Sequence, residues 1–551
     1  MSSSYTSSKP DDLLPWIAGL VVLPLLWSCT PVQSYDRTAH QDLLEKHRSS
    51  YDRWEEVTRN EASDGKDSEK STPDDASNLA SSSGTLELTL EEAVQLALGE
   101  NQQILISALN PRIARAEARQ ALGAFDPELY GRLEREDGRQ PTGTQLSGAA
   151  TLESEERTRR AGLRGNTYLG LEYDLFYELI RDESNSTFRT LNPQFQSSVG
   201  VALSQPLLRG FGPDVQLAQY RARLNRLTRQ KYEELSTIND QIFAVHRAYW
   251  ELARAEEERD IAESALELAQ ETVEVNRARF QADRIPESDL LQARTQLTER
   301  QEQLRIRENQ VRNARDRLVQ LISPPGSRSE DWNVKIKTAT EPDIASLQLR
   351  DRQEIIDVAT NTRMDMNALE QEIDAVQQLL KRAENRIRPE LDLEVSYRRS
   401  SLDDQRNETF EQIADENYRT WTAGLIFSYP LWNRSRTSQE RTIKLDRRKL
   451  KLRRRKLETT IAREVRSGIR NVRSAKNRIE IARKSKDLAE KQLEAETARQ
   501  DAGLSTTFQV LRLQDDLRRA KARLVKARMD YATSLAELRK ATGMLVSQHM
   551  R

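Results

Sequence analysis

Two stretches of the chain, from about Asp214 to Gln281 and from Arg434 to Asp501, each read as unbroken, charge-rich helix. At about 1.5 Å per residue, ~70 residues make a rod of roughly 100 Å, which no globular domain of ordinary size encloses. Composition agrees with long helices. The 551 residues hold only 20 glycines and 17 prolines, the two residues that weaken a helix most. An interruption and a return helix follow each rod. Ala282–Pro286 precedes a helix to Leu321, and Ala502–Ser505 precedes one to about Thr542. The reading is two helical hairpins with tips at 282–288 and 502–508. Asp283 and Gly503 occupy equivalent places, where Gly, Asn and Asp best tolerate a left-handed backbone. Pro286 suits the first turn of its return helix, and Ser505 or Thr506 can cap the other.

The hairpins belong to a larger duplication. A first repeat spans 87–330, with helices, strands at about 127–206 and the hairpin 214–321. A linker at 331–346 reads as an irregular crossing. A second repeat spans 347–545, with helices, strands at about 390–430 and the hairpin 434–542, before a tail at 546–551. In the first repeat the helix expected from Leu88 to Leu98 has Thr89 as its N-cap. Strand segments alternate: Leu169, Leu171, Tyr173, Leu175 and Tyr177 share one face, Gly170, Glu172 and Asp174 the other. Val199, Val201, Leu203 and then Leu391, Leu393, Val395, Tyr397 do likewise. Such alternation fits a transmembrane barrel strand and equally any half-exposed sheet. Position favours the barrel, because each strand group lies far in sequence from the hairpin tips. A chain entering a barrel from one side must return, so each half gives an even number of crossings. Two per half are expected, with room in 127–206 for an extra hairpin or long loops.

Residues 13–27 are the only long apolar run. They would span roughly 22 Å, short of the ~30 Å hydrocarbon core, so 1–28 reads as a signal peptide. Leu26-Trp27-Ser28-Cys29 resembles a bacterial lipobox, which makes Cys29, the chain's only cysteine, the expected lipidation site. Residues 29–86 are too poor in apolar side chains to order and read as a flexible lipid-anchored tether. Lys plus Arg (86) nearly balance Asp plus Glu (87), which gives no support for nucleic-acid binding. One cysteine and four scattered histidines exclude intrachain disulfides and argue against a metal centre. Glu256-Glu257-Glu258 reads as solvated charge, and His246, beside Tyr249 and Trp250, as helix packing. No GxxxxGK[ST] motif or catalytic constellation is found, so neither an enzyme nor a cofactor is expected.

The duplication, Ser204-Gln-Pro-Leu-Leu-Arg-Gly-Phe-Gly212 and the tip motif from Arg279 to Ala293 together resemble the TolC-like outer membrane efflux protein family, lipoprotein type. The resemblance covers about 88–545 and implies an α+β membrane protein. Long α-helical hairpins would form a periplasmic helical barrel. A transmembrane β-barrel shared by a homotrimer would take four strands from each copy. The implied function is the outer membrane channel of a tripartite efflux or type I secretion system. It would conduct substrate passively from a periplasmic adaptor and an inner-membrane pump to the exterior, in contact with outer membrane lipids. Asp289 matches the family's acidic tip position, and Gln509 stands at the equivalent place in the second half, with Arg512 three residues on. These three are the periplasmic gate candidates. Two basic runs, Arg221 to Lys231 and Arg447 to Lys456, read as solvated helix faces or as a cationic belt near the membrane. The competing reading is a periplasmic coiled-coil adaptor or scaffold.

Overall fold

The computed structural model describes residues 85–143, 148–323, 335–344, 351–413, 418–502 and 504–549. The signal peptide, Cys29, Gly503 and nearly all of the tether lie outside these residues. The chain divides into two compact units, one built from 113–227 and 371–451, the other including 228–370 and 452–549.

The second unit begins with β1 (Thr85–Leu88) and α1 (Leu90–Glu100), followed by α2 (Gln102–Leu122), which continues into the other unit. Thr89 caps α1 as expected. Its hydroxyl accepts from Glu92 N at 3.2 Å while the Glu92 carboxylate accepts from Thr89 N at 2.9 Å, a complete capping box. Leu88, expected in this helix, lies instead in a strand. β1 pairs in parallel with β6 (Lys335–Thr338), from Thr85↔Lys335 to Leu88↔Thr338. The crossing read as irregular therefore holds a strand. Four residues whose partner is about 250 positions away leave no local periodicity to read. Glu256, read as solvated, anchors this strand, accepting from the Thr338 N–H at 3.2 Å and its hydroxyl at 2.6 Å. The Tyr249 hydroxyl donates to the Leu88 carbonyl and accepts from Thr340 N, both at 2.9 Å.

The long helices α4 (Ala218–Gln281) and α9 (Arg434–Asp501) have 64 and 68 residues. Short α3 (Pro213–Gln216) precedes the first; the return helices are α5 (Glu287–Ile322) and α10 (Thr507–Ala541). Leu235, Ile238, Ile242, Val245, Tyr249 and Leu252 alternate at spacings of three and four and are all buried. This is the seam expected of helices that run side by side. A second seam, Ile461, Val465, Ile469 and Val472, packs with Tyr531 and Leu538 of α10 and with Ile355 of α6 (Arg352–Thr362). At Gly468 an added Cβ would sit 3.1 Å from Leu538 Cδ1, so glycine lets the two helices approach.

The first unit takes α7 (Met364–Arg386) from residue 371 on and holds one six-stranded sheet in the order β2-β3-β4-β5-β7-β8. The strands are β2 (Glu128–Pro141), β3 (Thr151–Asn166), β4 (Glu172–Ser184), β5 (Gln194–Pro206), β7 (Glu390–Asp403) and β8 (Arg419–Ser428). All neighbours are antiparallel. The expectation of two strands per half holds for the second half and fails for the first, which contributes four. Charged residues on both faces of the outer halves of β2 and β3 mask their period of two. The short helix α8 (Arg406–Gln412) lies on the sheet, with Thr409 buried against Ser197 and the Phe410 ring 6.0 Å from that of Tyr177.

In the second unit His246 and His549 are buried with their Nε2 atoms 3.1 Å apart, and His549 Nδ1 lies 2.8 Å from Glu91. Helix packing, as read for His246, is the role observed. Burial, reinforced by the charges of His549 and Arg539, pushes His246 down to about 3. Burial also lowers His549, against the opposing pull of Glu91. Both groups bind protons more readily in the unfolded chain, so stability is full above the ordinary histidine value of ~6.5 and falls as pH drops below it. For one such proton the slope is at most about 1.4 kcal/mol per pH unit. Hydrogen-exchange protection of α11 (Leu545–His549) is therefore expected to fall between pH 7 and 5, and His246→Gln to flatten that dependence.

Candidate functional site

Alternation along six paired strands gives the sheet two chemically distinct faces. One row crosses all of them: Leu129, Leu163, Leu175, Val201, Tyr397 and Trp421 stand opposite one another in turn. The next row toward the helices on the same face runs Tyr173, Leu203, Val395, Ala423. The opposite face carries Glu128, Arg164, Asp174, Ala202, Ser396 and Thr422 in one row. A cleft of about 580 Å³ is lined by this row and also by Tyr173, Leu203 and Val395 of the other face. Arg160 holds the polar face together across strands. It donates to the Tyr130 hydroxyl at 3.1 Å and to Asp174 at 2.8 Å, and its guanidinium stacks 3.9 Å from the Phe176 ring centroid. Phe176 lies over Gly200, where a Cβ would come 2.7 Å from the ring. On the apolar face the edge strands are open, with Leu129 and Leu133 82% and 83% exposed, Trp421 73% and Phe427 66%, while Tyr173 and Leu179 of the inner strand β4 are buried. A band of this extent on a soluble protein would be a large unmet apolar surface.

The hairpin tips, in the second unit, share one turn geometry. Arg284 N donates to the Arg279 carbonyl at 2.9 Å, and Leu504 N to the Arg499 carbonyl at 2.8 Å, each closing its helix with the same reach of five residues. Asp283 takes the left-handed conformation expected of it, with φ 54°. Pro286 occupies the N-cap of α5 rather than its first turn, in extended backbone with φ −72° and ψ 156°. Thr506 is the N-cap of α10, and its side chain makes no capping bond. Ser505 turns back to donate to Glu496. Asp289 stands in the first turn of α5, half-buried, with Leu290 buried behind it. Gln509 and Arg512 are exposed on α10. The structure does not bring Asp289 into contact with either of them within one chain.

Two ion pairs that sequence reasoning missed join the hairpins near their tips. Arg279 meets Asp501 at 3.2 Å. Further along, Arg300 is buried and donates to Asp515 at 3.1 Å, and Asp515 also meets Arg518 at 2.8 Å and Arg519. Burial alone would raise the Asp515 carboxyl, but the hydrogen bond and charge of Arg518, with Arg300 and Arg519, hold it below its ordinary value. The signal for Arg300 was present: it falls seven residues after Ala293 and fourteen before Ala314, both buried, so it occupies a seam position. Of the basic runs, the first is largely ion-paired, with Arg221 on Asp214 and Arg223 on Glu117, both at 2.5 Å. The second is mixed. Arg454 pairs with Glu370 at 3.2 Å, while Arg448, Lys449, Lys451, Arg453 and Arg455 are exposed.

The profile of the outer membrane efflux protein family matches residues 355–544, most of the second repeat. No curated protein matches the chain. Among solved structures, the CmeC outer membrane channel of Campylobacter jejuni aligns with TM-score 0.60 at 17% identity, over 83% of this chain and 85% of that one. VceC of Vibrio cholerae aligns with TM-score 0.59 at 15% identity, over 82% and 96%. The open-state MtrE outer membrane channel of Neisseria gonorrhoeae aligns with TM-score 0.57 at 15% identity, over 83% and 89%. The fold is thus that of outer membrane channels over most of the chain. The resemblance to the TolC-like efflux family read from the motifs is met again in the second repeat by the family profile.

The buried pair near the tips gives a direct test. Asp515→Asn leaves Arg300 buried without its charge partner and is expected to destabilise the hairpin contact by about 3 kcal/mol. The double change Arg300→Met with Asp515→Leu is expected to recover most of that. Hydrogen-exchange protection of 290–300 and 510–520 reads both.

Proposed function

We propose that this protein is the outer membrane channel of a tripartite export system. The observation that carries the reading is the sheet. An apolar row crosses six strands, most exposed at its two ends, backed by a polar face, and among the described residues both edge strands have one side unpaired. Lipid on one side and water on the other account for both faces. Open edges cannot persist in hydrocarbon, so further copies of the chain must complete the sheet. We take the assembly to be a homotrimer, with the hairpins extending as a periplasmic tunnel that docks a periplasmic adaptor and an inner-membrane pump. The adaptor or scaffold reading leaves the apolar band without a role.

Conduction is passive in this reading. The polar face lines the route, and the chain's part is to keep lipid out and water in. Asp289, Gln509 and Arg512 serve as the constriction where tips from different copies meet, since they do not meet within one copy. The Arg279–Asp501 pair is partly exposed, a class of contact worth about 0–1 kcal/mol, so it can break when the tips move apart. Lipidation of Cys29 would add an anchor to the outer membrane, with 29–86 as its tether, and the exposed basic residues between Arg448 and Arg455 suit anionic headgroups or anion preference.

The intact protein should form ion-conducting trimers in planar bilayers. Asp289→Ala is expected to raise single-channel conductance several-fold. Unchanged conductance would remove Asp289 from the constriction, and no conductance from the intact protein would remove the channel reading itself.

A further inference from the structure

We infer that the β2–β3 hairpin forms the subunit edge of the barrel. In this arrangement β2 of one copy pairs with β8 of the next, so each copy contributes six strands rather than four. A trimer then closes eighteen strands. This rests on the channel reading above and extends it to the identity of the partner edge and the width of the pore.

Four observations carry it. First, the hairpin is fully part of the sheet: β2 pairs with β3 from Glu128↔Arg164 to Pro141↔Thr151, and β3 with β4 from Ser154↔Ser184 to Asn166↔Glu172. The side of β4 that a four-stranded copy would offer to its neighbour is thereby occupied along the strand. Second, side chains lock the hairpin in place. From β3, Arg160 reaches Tyr130 on β2 and both Asp174 (2.8 Å) and Glu178 (3.6 Å) on β4. Third, in the half of the hairpin that holds Glu128 and Asn166, the two-faced pattern continues in register. Leu129 and Leu163 extend the row that ends in Trp421, while Glu128 and Arg164 extend the polar row. The hairpin therefore presents the same side to lipid as the other four strands. Fourth, the directions agree. Six alternating strands leave β2 and β8 running oppositely, so joining them between copies is antiparallel, as every pair within this sheet is.

Pairing partners must also match in parity to keep the faces aligned. Leu129 can therefore stand opposite Trp421, Ala423, Leu425 or Phe427 of the neighbour, but not the residues between them. Barrel diameter grows roughly linearly with strand number, so eighteen strands give a lumen about 1.5 times as wide as twelve.

Cysteine cross-linking in the full chain, in a Cys29→Ala background, decides between edges. Leu129→Cys is combined in turn with Trp421→Cys, Ala423→Cys, Leu425→Cys and Phe427→Cys. The control series places Leu175→Cys, on β4, with the same partners. Membranes are oxidised and run on non-reducing gels. The expected result is dimer and trimer ladders from at least one Leu129 combination and none from Leu175. Ladders from Leu175, or none from any Leu129 combination in trimers that still form, would overturn the six-strand edge. Conductance of the intact protein tests the channel reading separately. It would survive a four-strand result unchanged.

Discussion

A strand in hydrocarbon has no water to satisfy its backbone, so each N–H and C=O needs a protein partner or costs several kcal/mol. Among the described residues, the inner strands of the first unit's sheet are paired on both sides and β2 and β8 on one side only. In the channel proposed above, those unpaired sides call for further copies of the chain to complete the sheet. The polar face can be charge-rich because its residues answer one another across strands, as Arg160 does with Asp174 and Tyr130. In the channel proposed above, lipid would cover the exposed apolar side chains of the edge strands, such as Leu129, Leu133 and Trp421.

The second unit solves a different problem. Helices of 64 and 68 residues are stable in water only where each turn finds a neighbour. Seams of Leu, Ile and Val at spacings of three and four supply it, closed further by Gly468 against Leu538 and by the small parallel ladder of β1 and β6. Polar groups within these seams are the informative exceptions. Arg300, His246 and His549 are buried, and each is paired: Arg300 with Asp515, the histidines with one another and with Glu91. An interior charge pair adds little net stability over apolar packing but penalises any arrangement that separates the partners. Arg300 and Asp515 therefore fix which faces of the two return helices meet.

Much of this was legible along the chain. The capping role of Thr89 and the left-handed backbone of Asp283 each depend on a residue and its near neighbours, and the structure shows both. The same holds for the family resemblance, which rests on contiguous motifs. The sequence leaves the extra β2–β3 hairpin open, because Arg135, Asp137, Arg157 and Glu155 place charge where the apolar repeat should continue. The strand Lys335–Thr338 was read as irregular, and Glu256 as solvated, for one shared reason. Their partners, β1 and Thr338, are remote in sequence.

The sequence by itself determined the local conformations: rods, turns and alternating strands, because 3.6- and two-residue periods and the demands of turn positions act over a few residues. Only the tertiary structure decided how many strands join one sheet, which strands remain its edges, and which buried charges meet. Those outcomes depend on pairings between segments tens to hundreds of residues apart, for which no single segment carries a period.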